Sequence, residues 1–209
     1  MNNIIKQSFV KPVPEDIITI VSGLPRSGTS MMMKMLEAGG LQPLVDNIRK
    51  ADQDNPNGYY EFEPVKKLTK GETSWLPDAR GRVVKIIATL LPYLPEVYHY
   101  RVVFVHRDLL EILASQKQML INKGEAPDKV SDDELGRIFR KHLTQVKQWI
   151  SDHPNVRCID VDYNRLIQDP IPEIARINDF LGSSLDEKKM ASVINADLYR
   201  QRFQPPQNQ

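Results

Sequence analysis

A glycine-rich segment near the start of the chain has the composition of a phosphate-binding loop. It reads Ser22-Gly23-Leu24-Pro25-Arg26-Ser27-Gly28-Thr29-Ser30. Such a turn at the start of a helix directs several backbone N–H groups, and the positive end of the helix dipole, toward one point. Arg26 adds a positive charge, while Thr29 and Ser30 add hydroxyl and amide donors. The segment therefore predicts a site for a terminal phosphate.

The same loop departs from the pattern of nucleoside triphosphatases. That pattern is Gly-x-x-x-x-Gly-Lys followed by Ser or Thr, and Gly23 and Gly28 have its spacing, but Thr29 stands where the lysine belongs. A triphosphate–Mg²⁺ site would lose its central cation, which argues against a kinase or ATPase. Because Arg26 could partly replace that cation, a kinase with an arginine-modified loop remains an alternative. A Gly-Pro turn that only joins a strand to a helix is another.

The loop needs a strand before it and a helix after it, and the sequence predicts both. Ile17–Ser22 is rich in β-branched residues and predicts a strand, while Thr29–Ala38 predicts a helix that stops at Gly39-Gly40. Four methionines of that helix are expected to pack into the core, namely Met31, Met32, Met33 and Met35. The loop is thus expected to lie at the carboxyl end of a buried strand.

Further strands and helices alternate along the chain. Strands are predicted over 82–87 and 101–106, both buried on two faces, and a buried strand is predicted over 156–161. Helices are predicted over 108–122, 131–152, 170–180 and 186–195. Ser131 and Glu134 form a capping-box start. This order predicts an α/β fold with a mainly parallel central sheet flanked by helices, similar to P-loop nucleoside triphosphate hydrolases, with ligands at the carboxyl ends of the strands.

Length and charge limit the class of protein. The 209 residues suit one domain spanning 1–209, with a frayed tail over about 203–209. Lys and Arg number 28 against 27 Asp and Glu, which is not the surplus expected of a protein that binds nucleic acid polymers. The chain has no apolar run of membrane-spanning length and no signal-peptide pattern, so we expect no membrane insertion and a cytoplasmic location.

The cysteine and histidines give no sign of a metal site or a thiol nucleophile. Cys158 is the single cysteine and is expected to be a packed core thiol, with only His153 close to it in the sequence. The other histidines, His99, His106 and His142, lack ligand spacing. We therefore expect no metal.

With Pro25-Arg26-Ser27-Gly28-Thr29-Ser30 in its loop, the chain resembles the sulfotransferase family, whose loop reads Pro-Lys/Arg-Ser-Gly-Thr-Thr/Ser. In that family the loop holds the 5′-phosphosulfate of 3′-phosphoadenosine 5′-phosphosulfate (PAPS), the sulfuryl donor. The resemblance therefore implies that Pro25, Arg26, Ser27, Gly28, Thr29 and Ser30 bind this donor, with Arg26 stabilising charge on the leaving phosphate and no metal required.

A second motif supports the resemblance. In the family, an Arg at the end of a strand and a Ser eight residues later bind the 3′-phosphate of the donor, and Arg107 and Ser115 have this interval. Arg107 follows a predicted strand and Ser115 lies about two turns into the next helix, so both can border one pocket. An Arg-Asp pair at a helix start is also a common cap with a surface charge, and its position after a buried strand favours the functional interpretation.

Two later segments resemble the family less closely. Tyr163-Asn164-Arg165-Leu166, Asp169-Pro170 and Phe180-Leu181-Gly182 follow its Tyr-Glu-Asp-Leu, Asp-Pro, Phe-Leu-Gly succession. Here Asn164 and Arg165 replace the acidic pair, so only the architecture is carried over. Tyr199-Arg200-Gln201-Arg202 lie where several family members bind the 3′-phosphate with basic residues, although solvated tail charges are an alternative.

The resemblance also bears on the catalytic base. Many family members use a histidine in a Lys-x-His-Leu-Pro setting, and the matching stretch here retains Lys85 but has no histidine. Other branches use a glutamate, which makes Glu61 or Glu63 the candidate after the turn Asn55-Pro56-Asn57-Gly58. We favour Glu61, because Gly58 and two tyrosines would orient it, whereas Glu63 precedes Pro64. A surface glutamate is the alternative interpretation of Glu61. Lys85 could assist at the transferring sulfuryl group, or it could be a strand-end lysine that pairs with a carboxylate.

These observations predict a sulfotransferase that moves a sulfuryl group from PAPS to a hydroxyl or amine of a small-molecule, carbohydrate or lipid acceptor, leaving adenosine 3′,5′-bisphosphate (PAP). A P-loop kinase and a non-catalytic nucleotide-binding protein are the alternatives. Neither the acceptor nor the oligomeric state can be inferred from the sequence.

Overall fold

The computed structural model describes residues 16–46, 48, 49, 52, 55, 58–126 and 130–194. Several predictions lie outside these residues. They concern the middle of the turn at 55–58, the break at Pro127, the end of the helix predicted to Asn195, the basic segment 199–202 and the tail.

Among the described residues, four strands form one parallel sheet. They are β1 (Ile17–Gly23), β2 (Val83–Lys85), β3 (His99–His106) and β4 (Val156–Asp162), in the spatial order β2-β1-β3-β4. The prediction of a parallel α/β sheet is confirmed. β2 is shorter than the predicted 82–87, and β3 begins two residues before the predicted 101. β4 is an edge strand with alternating exposure rather than a buried one, so Cys158 is only half-buried.

In the part of the chain that the structure describes, six α-helices and three 3₁₀ helices surround the sheet. The α-helices are α1 (Thr29–Ala38), α2 (Leu109–Asn122), α3 (Asp132–Asp152), α4 (Tyr163–Gln168), α5 (Pro170–Leu181) and α6 (Glu187–Ser192). The 3₁₀ helices are Glu63–Lys70, Leu76–Ala79 and Ala88–Tyr93. The sequence predicted neither α4 nor the 3₁₀ helices, since segments this short show little periodicity.

The two faces of the sheet are covered by different helices. One face packs against α1, α5 and α6, and its apolar cluster includes the four methionines of α1, as predicted. The other face packs against the 3₁₀ helices and α3. Alternation along β1 divides the strand between them, because Ile18 and Ile20 face the second layer while Val21 faces the first. The sheet lies between these two layers, and its parallel strands have their carboxyl ends at one edge.

Caps fix the start of the helices that border this edge. The carboxylate of Asp108 accepts hydrogen bonds from the N–H groups of Leu110 and Glu111, so α2 begins directly after β3. The predicted cap at Ser131 is confirmed, since its hydroxyl accepts from the N–H of Glu134 at 3.2 Å. Among the helices that the structure describes, none is long and apolar enough to cross a membrane.

Candidate active site

Each strand of the sheet delivers a polar side chain to the same edge. Arg26 lies in the loop after β1, Lys85 is the last residue of β2, Arg107 follows β3 directly, and Tyr163 follows β4 directly. Because the strands are parallel, their carboxyl ends lie side by side. A cavity of about 550 Å³ opens at this edge, and all four of these residues line it.

The glycine-rich loop has a constrained backbone. Arg26 has a φ of 68° and Gly28 a φ of 103°, both in the left-handed region, which costs free energy for a residue with a side chain. A Cβ on Gly28 would lie 2.3 Å from Cδ2 of Tyr163. Only glycine therefore lets the loop rest against the tyrosine ring at this point.

The backbone N–H groups of the loop differ in what they contact. The N–H of Ser27 donates to the carbonyl of Leu24 at 3.2 Å, and the Ser27 side chain is fully buried. Ser27 thus closes the turn and does not line the cavity, and its role in donor binding stays a prediction. The amides of Thr29 and Ser30, in the first turn of α1, take no acceptor from the described part of the chain. Those two remain oriented as donors for an anion.

Arg26, Arg107 and Ser115 are brought together, as the sequence predicted. Nε of Arg26 donates to Oγ of Ser115 at 3.0 Å, and Nη1 of Arg107 donates to the carbonyl of Arg26 at 3.2 Å. The two motifs are 81 and 89 residues apart at these contacts. They form one cationic wall, which we call the donor wall, defined by Arg26, Arg107 and Ser115.

Arg107 is held in position by buried side chains that contact its guanidinium group. Its Nε donates to Oε2 of Glu111 at 2.9 Å, and its guanidinium carbon lies 4.8 Å from the centroid of the Tyr163 ring. Oε1 of Glu111 accepts from Nδ2 of Asn164 at 3.0 Å. Tyr163 thus contacts Arg107 as well as the space beside Gly28. Its pKa is raised, mainly by burial, so the phenol stays neutral.

Lys85 faces the donor wall from β2. Its Nζ donates to the carbonyl of Tyr59 and lies 3.4 Å from Oγ of Ser30. Burial lowers its pKa to about 8, and the nearby carboxylate of Glu61 opposes that shift. Lys85 therefore carries most of its charge at neutral pH but loses it in mildly alkaline solution.

The two candidate bases occupy different positions. Glu61 lines the cavity, and its carboxylate binds Nη1 of Arg49 at 2.8 Å and lies 3.6 Å from Nζ of Lys66. Glu63 pairs with Lys66 but is not on the cavity wall. Its side chain is 42% exposed, against 21% for Glu61. Of the two, Glu61 has the position from which a base could reach a bound acceptor.

The segment before Glu61 also contributes to the cavity wall, through Arg49, Asn55 and Tyr59. The guanidinium carbon of Arg49 lies 3.3 Å from the centroid of the Tyr59 ring, and the Tyr59 hydroxyl donates to the carboxylate of Asp52. Burial, with the hydrogen bond to Asp52, raises the pKa of Tyr59 to about 12. Asn55 adds a hydrogen bond to Ser30, at 2.9 Å between Nδ2 and Oγ. These contacts attach the segment to the first turn of α1.

Sequence reasoning did not identify Arg49 or Glu111. Arg49 belongs to no recognisable pattern, and nothing local in the sequence pairs it with Tyr59 or Glu61. Glu111 stands four residues after Arg107, which on a helix is the spacing of an ion pair. The spacing could therefore have indicated the ion pair between Glu111 and Arg107. Cys158 stays outside the site, and burial raises the pKa of its thiol to about 12, so it is not a nucleophile at neutral pH.

A parallel sheet with a glycine loop at a helix start and a cationic cavity at its carboxyl edge defines a nucleotide-binding α/β enzyme. A sequence profile described as the sulfotransferase family matches residues 89–187, just under half of the chain. This match includes Arg107 and Ser115, whereas the glycine loop lies before it. This match confirms, over the residues that it covers, the resemblance to the sulfotransferase family seen in the sequence, and it indicates a transferase.

Solved structures share the fold at low identity. The sulfotransferase domain of the olefin synthase from Synechococcus PCC 7002 aligns with a TM-score of 0.55 at 15% identity, over 93% of this chain and 82% of that one. Sulfotransferase STF1 from Mycobacterium tuberculosis H37Rv aligns at 0.60 and 17%, over 87% and 71%. Mouse sulfotransferase SULT7A1, complexed with PAP, aligns at 0.55 and 14%, over 94% and 70%. A search of curated protein sequences gave no significant match.

Proposed function

We propose that this protein transfers a sulfuryl group from PAPS to a hydroxyl or amine of a small acceptor. The observation that carries the proposal is the joining of two distant motifs in the donor wall, with Lys85 and Glu61 lining the same cavity. The mouse relative that was solved with PAP supports the identity of the nucleotide. The described residues form one sheet with its helices, which supports a single domain over 1–209.

The residues present fit such a donor. The free amides of Thr29 and Ser30, with the guanidinium of Arg26, suit the 5′-phosphosulfate at the start of α1. Arg107 and Ser115 suit the 3′-phosphate, because both line the cavity two helical turns apart on α2 and its preceding loop. Pro25 and Gly28 line the cavity between them and supply shape rather than charge.

The chain's own groups can carry out the transfer. The donor supplies the sulfuryl group, and the acceptor oxygen forms a bond to sulfur as the bond from sulfur to the 5′-phosphate oxygen breaks, its electron pair staying on the phosphate. Glu61 takes the proton of the acceptor hydroxyl. Arg26 and the loop amides stabilise the charge that grows on the leaving phosphate, and Lys85 stabilises the sulfuryl oxygens. The products are a sulfate ester and PAP.

Nucleotide titration tests the proposal. We expect PAP to bind and to raise the thermal unfolding temperature in the absence of divalent metal, while ATP with Mg²⁺ does so weakly. Stabilisation by ATP with Mg²⁺ alone would instead support a kinase. In Arg107→Ala, affinity for PAP should fall much more than affinity for adenosine 5′-phosphate. Equal losses for the two nucleotides would refute the 3′-phosphate role of Arg107.

A further inference from the structure

Beyond the donor wall the cavity has a second, apolar part. Its walls come from three separate elements that pack around the same opening. The side chains that form it, here called the apolar chamber, are Phe62, Val65, Ile87, Leu90 and Met119. Ile87 leaves 43% of its surface exposed, so a molecule that covered it would bury apolar surface.

The apolar chamber begins beside the candidate catalytic groups. Ile87 follows Lys85 by two residues in extended backbone, so the two side chains point to the same side, and Ile86 between them is fully buried. Phe62 directly follows Glu61, and both line the cavity. A molecule in the apolar chamber would therefore have one end within reach of the base and the lysine.

Helix α2 gives the cavity its length. Its cavity-lining residues recur at helical spacing on one face and continue past the end of the helix, as Ser115, Gln116, Gln118, Met119, Asn122 and Lys123. From Ser115 to Lys123 the rise is about 12 Å, at roughly 1.5 Å per residue. Met119 is the apolar member of this lining, with Gln116 and Gln118 before it and Asn122 and Lys123 after it. An elongated molecule with an apolar body would therefore contact α2 at Met119, with polar side chains on either side.

The charges around Glu61 discriminate between acceptor groups. Arg49 and Lys66 pair with its carboxylate, and Lys85 is close enough for the two charges to interact. An ammonium ion placed beside Glu61 would meet three cations, which disfavours a protonated amine. A neutral hydroxyl carries no such penalty.

We propose that the apolar chamber is the acceptor site and that it selects neutral alcohols with an extended apolar body. This inference rests on the proposed function, since it identifies the acceptor class of the same reaction. It disfavours sugars, because a sugar that covered Ile87, Leu90 and Met119 would desolvate hydroxyls on that side.

Transfer from PAPS to ethanol, n-butanol, n-octanol, n-octylamine and glucose tests the acceptor class. We expect kcat/KM to rise along the alcohols by up to about fourfold for each methylene that becomes buried, since each is worth about 0.8 kcal/mol. Glucose and n-octylamine should react more slowly than n-octanol. A flat profile along the alcohols, or a preference for glucose or the amine, would overturn the inference.

Substitutions in the apolar chamber test whether the preference for long alcohols arises there. Ile87→Asn and Met119→Gln should each reduce kcat/KM for n-octanol by about tenfold, the loss expected for one apolar contact. Val97→Asn is the matched control, because Val97 is 78% exposed and is not on the cavity wall. It should leave the alcohol profile unchanged. An equal loss in the control, or no loss in the first two variants, would contradict the assignment.

A binding measurement separates this inference from the proposed function. Calorimetric titration of PAP tests the donor site alone, and titration of n-octanol into the protein, with and without PAP, tests the apolar chamber. If PAP does not bind, the proposed function fails regardless of the alcohol. If PAP binds and n-octanol does not, the proposed function stands and the acceptor inference is wrong.

Discussion

Glu111 holds Arg107 in a buried ion pair, with Oε2 of the carboxylate 2.9 Å from Nε of the guanidinium and the side chains 1% and 8% exposed. The other carboxylate oxygen accepts from Asn164. Both oxygens of Glu111 are therefore acceptors, a requirement that only a carboxylate meets at this position. The family pattern has an acid at position 164, which would place two carboxylates together. Asn164 supplies a donor instead.

Exchanging the carboxylate of Glu111 and the amide of Asn164 tests this arrangement. Glu111→Gln alone turns an N–H of the new amide toward Asn164 or Arg107, so we expect a loss of about 3 to 5 kcal/mol in the free energy of unfolding and weaker PAP binding. In Glu111→Gln/Asn164→Asp, the new amide donates to the introduced carboxylate and accepts from Arg107. Thermal unfolding and PAP titration should show partial recovery in the double variant. A double variant worse than the single one would refute the pairing.

Glu61 and Glu63 form a matched pair for testing the base, since both bind Lys66. Glu61→Gln keeps the shape but cannot accept a proton, so kcat should fall by about 10² to 10⁴ with PAP affinity unchanged. Glu63→Gln should retain near-normal turnover, because Glu63 lies off the cavity wall. Unchanged turnover in both variants would leave the protein as a nucleotide-binding protein without this base.

The pH dependence should report on Lys85. Because its pKa is lowered to about 8, the free enzyme loses this charge as the pH rises through that value, and kcat/KM for the donor should fall there. Bound donor is anionic and raises the pKa, so the alkaline limb of kcat should lie at higher pH. Lys85→Arg should remove the limb near pH 8, since a guanidinium stays charged. Persistence of that limb in Lys85→Arg would assign it to another group.

Alanine substitutions at Gly28 and Gly40 distinguish the effect of steric overlap from that of backbone strain. Both have left-handed backbones, with φ of 103° and 106°, but a Cβ on Gly40 would meet nothing within 4 Å, whereas one on Gly28 would overlap Tyr163. Gly40→Ala should cost about 1 kcal/mol of stability and leave PAP binding intact. Gly28→Ala should cost about 1 to 3 kcal/mol more and weaken PAP binding, because the loop must move. Equal effects on PAP affinity would show that the contact with Tyr163 is unimportant.

The sequence predicted those features that depend on local composition. β1, β3 and the helices after them have strong apolar patterns, and the interval between Arg107 and Ser115 places both at the carboxyl edge. It overestimated β2 and missed α4, since three strand residues and six helical ones show little periodicity.

Contacts across the site were harder to anticipate. The pairing of Arg49 with Glu61 spans 12 residues, and that of Glu111 with Asn164 spans 53. Such contacts follow from packing, to which one sequence gives no direct access. The hydrogen bond from the Arg26 side chain to Ser115 could not be predicted for the same reason, although the sequence identified both motifs.

The cavity takes one residue from the end of each of the four strands of the described sheet, between positions 26 and 163. A nucleotide bound there would act as a non-covalent crosslink between segments that are remote in the chain. It would bind only the folded state, adding about 2.7 kcal/mol at a hundredfold excess over its Kd. The supply of this nucleotide would then govern how long the protein withstands proteolysis, as well as how fast it works.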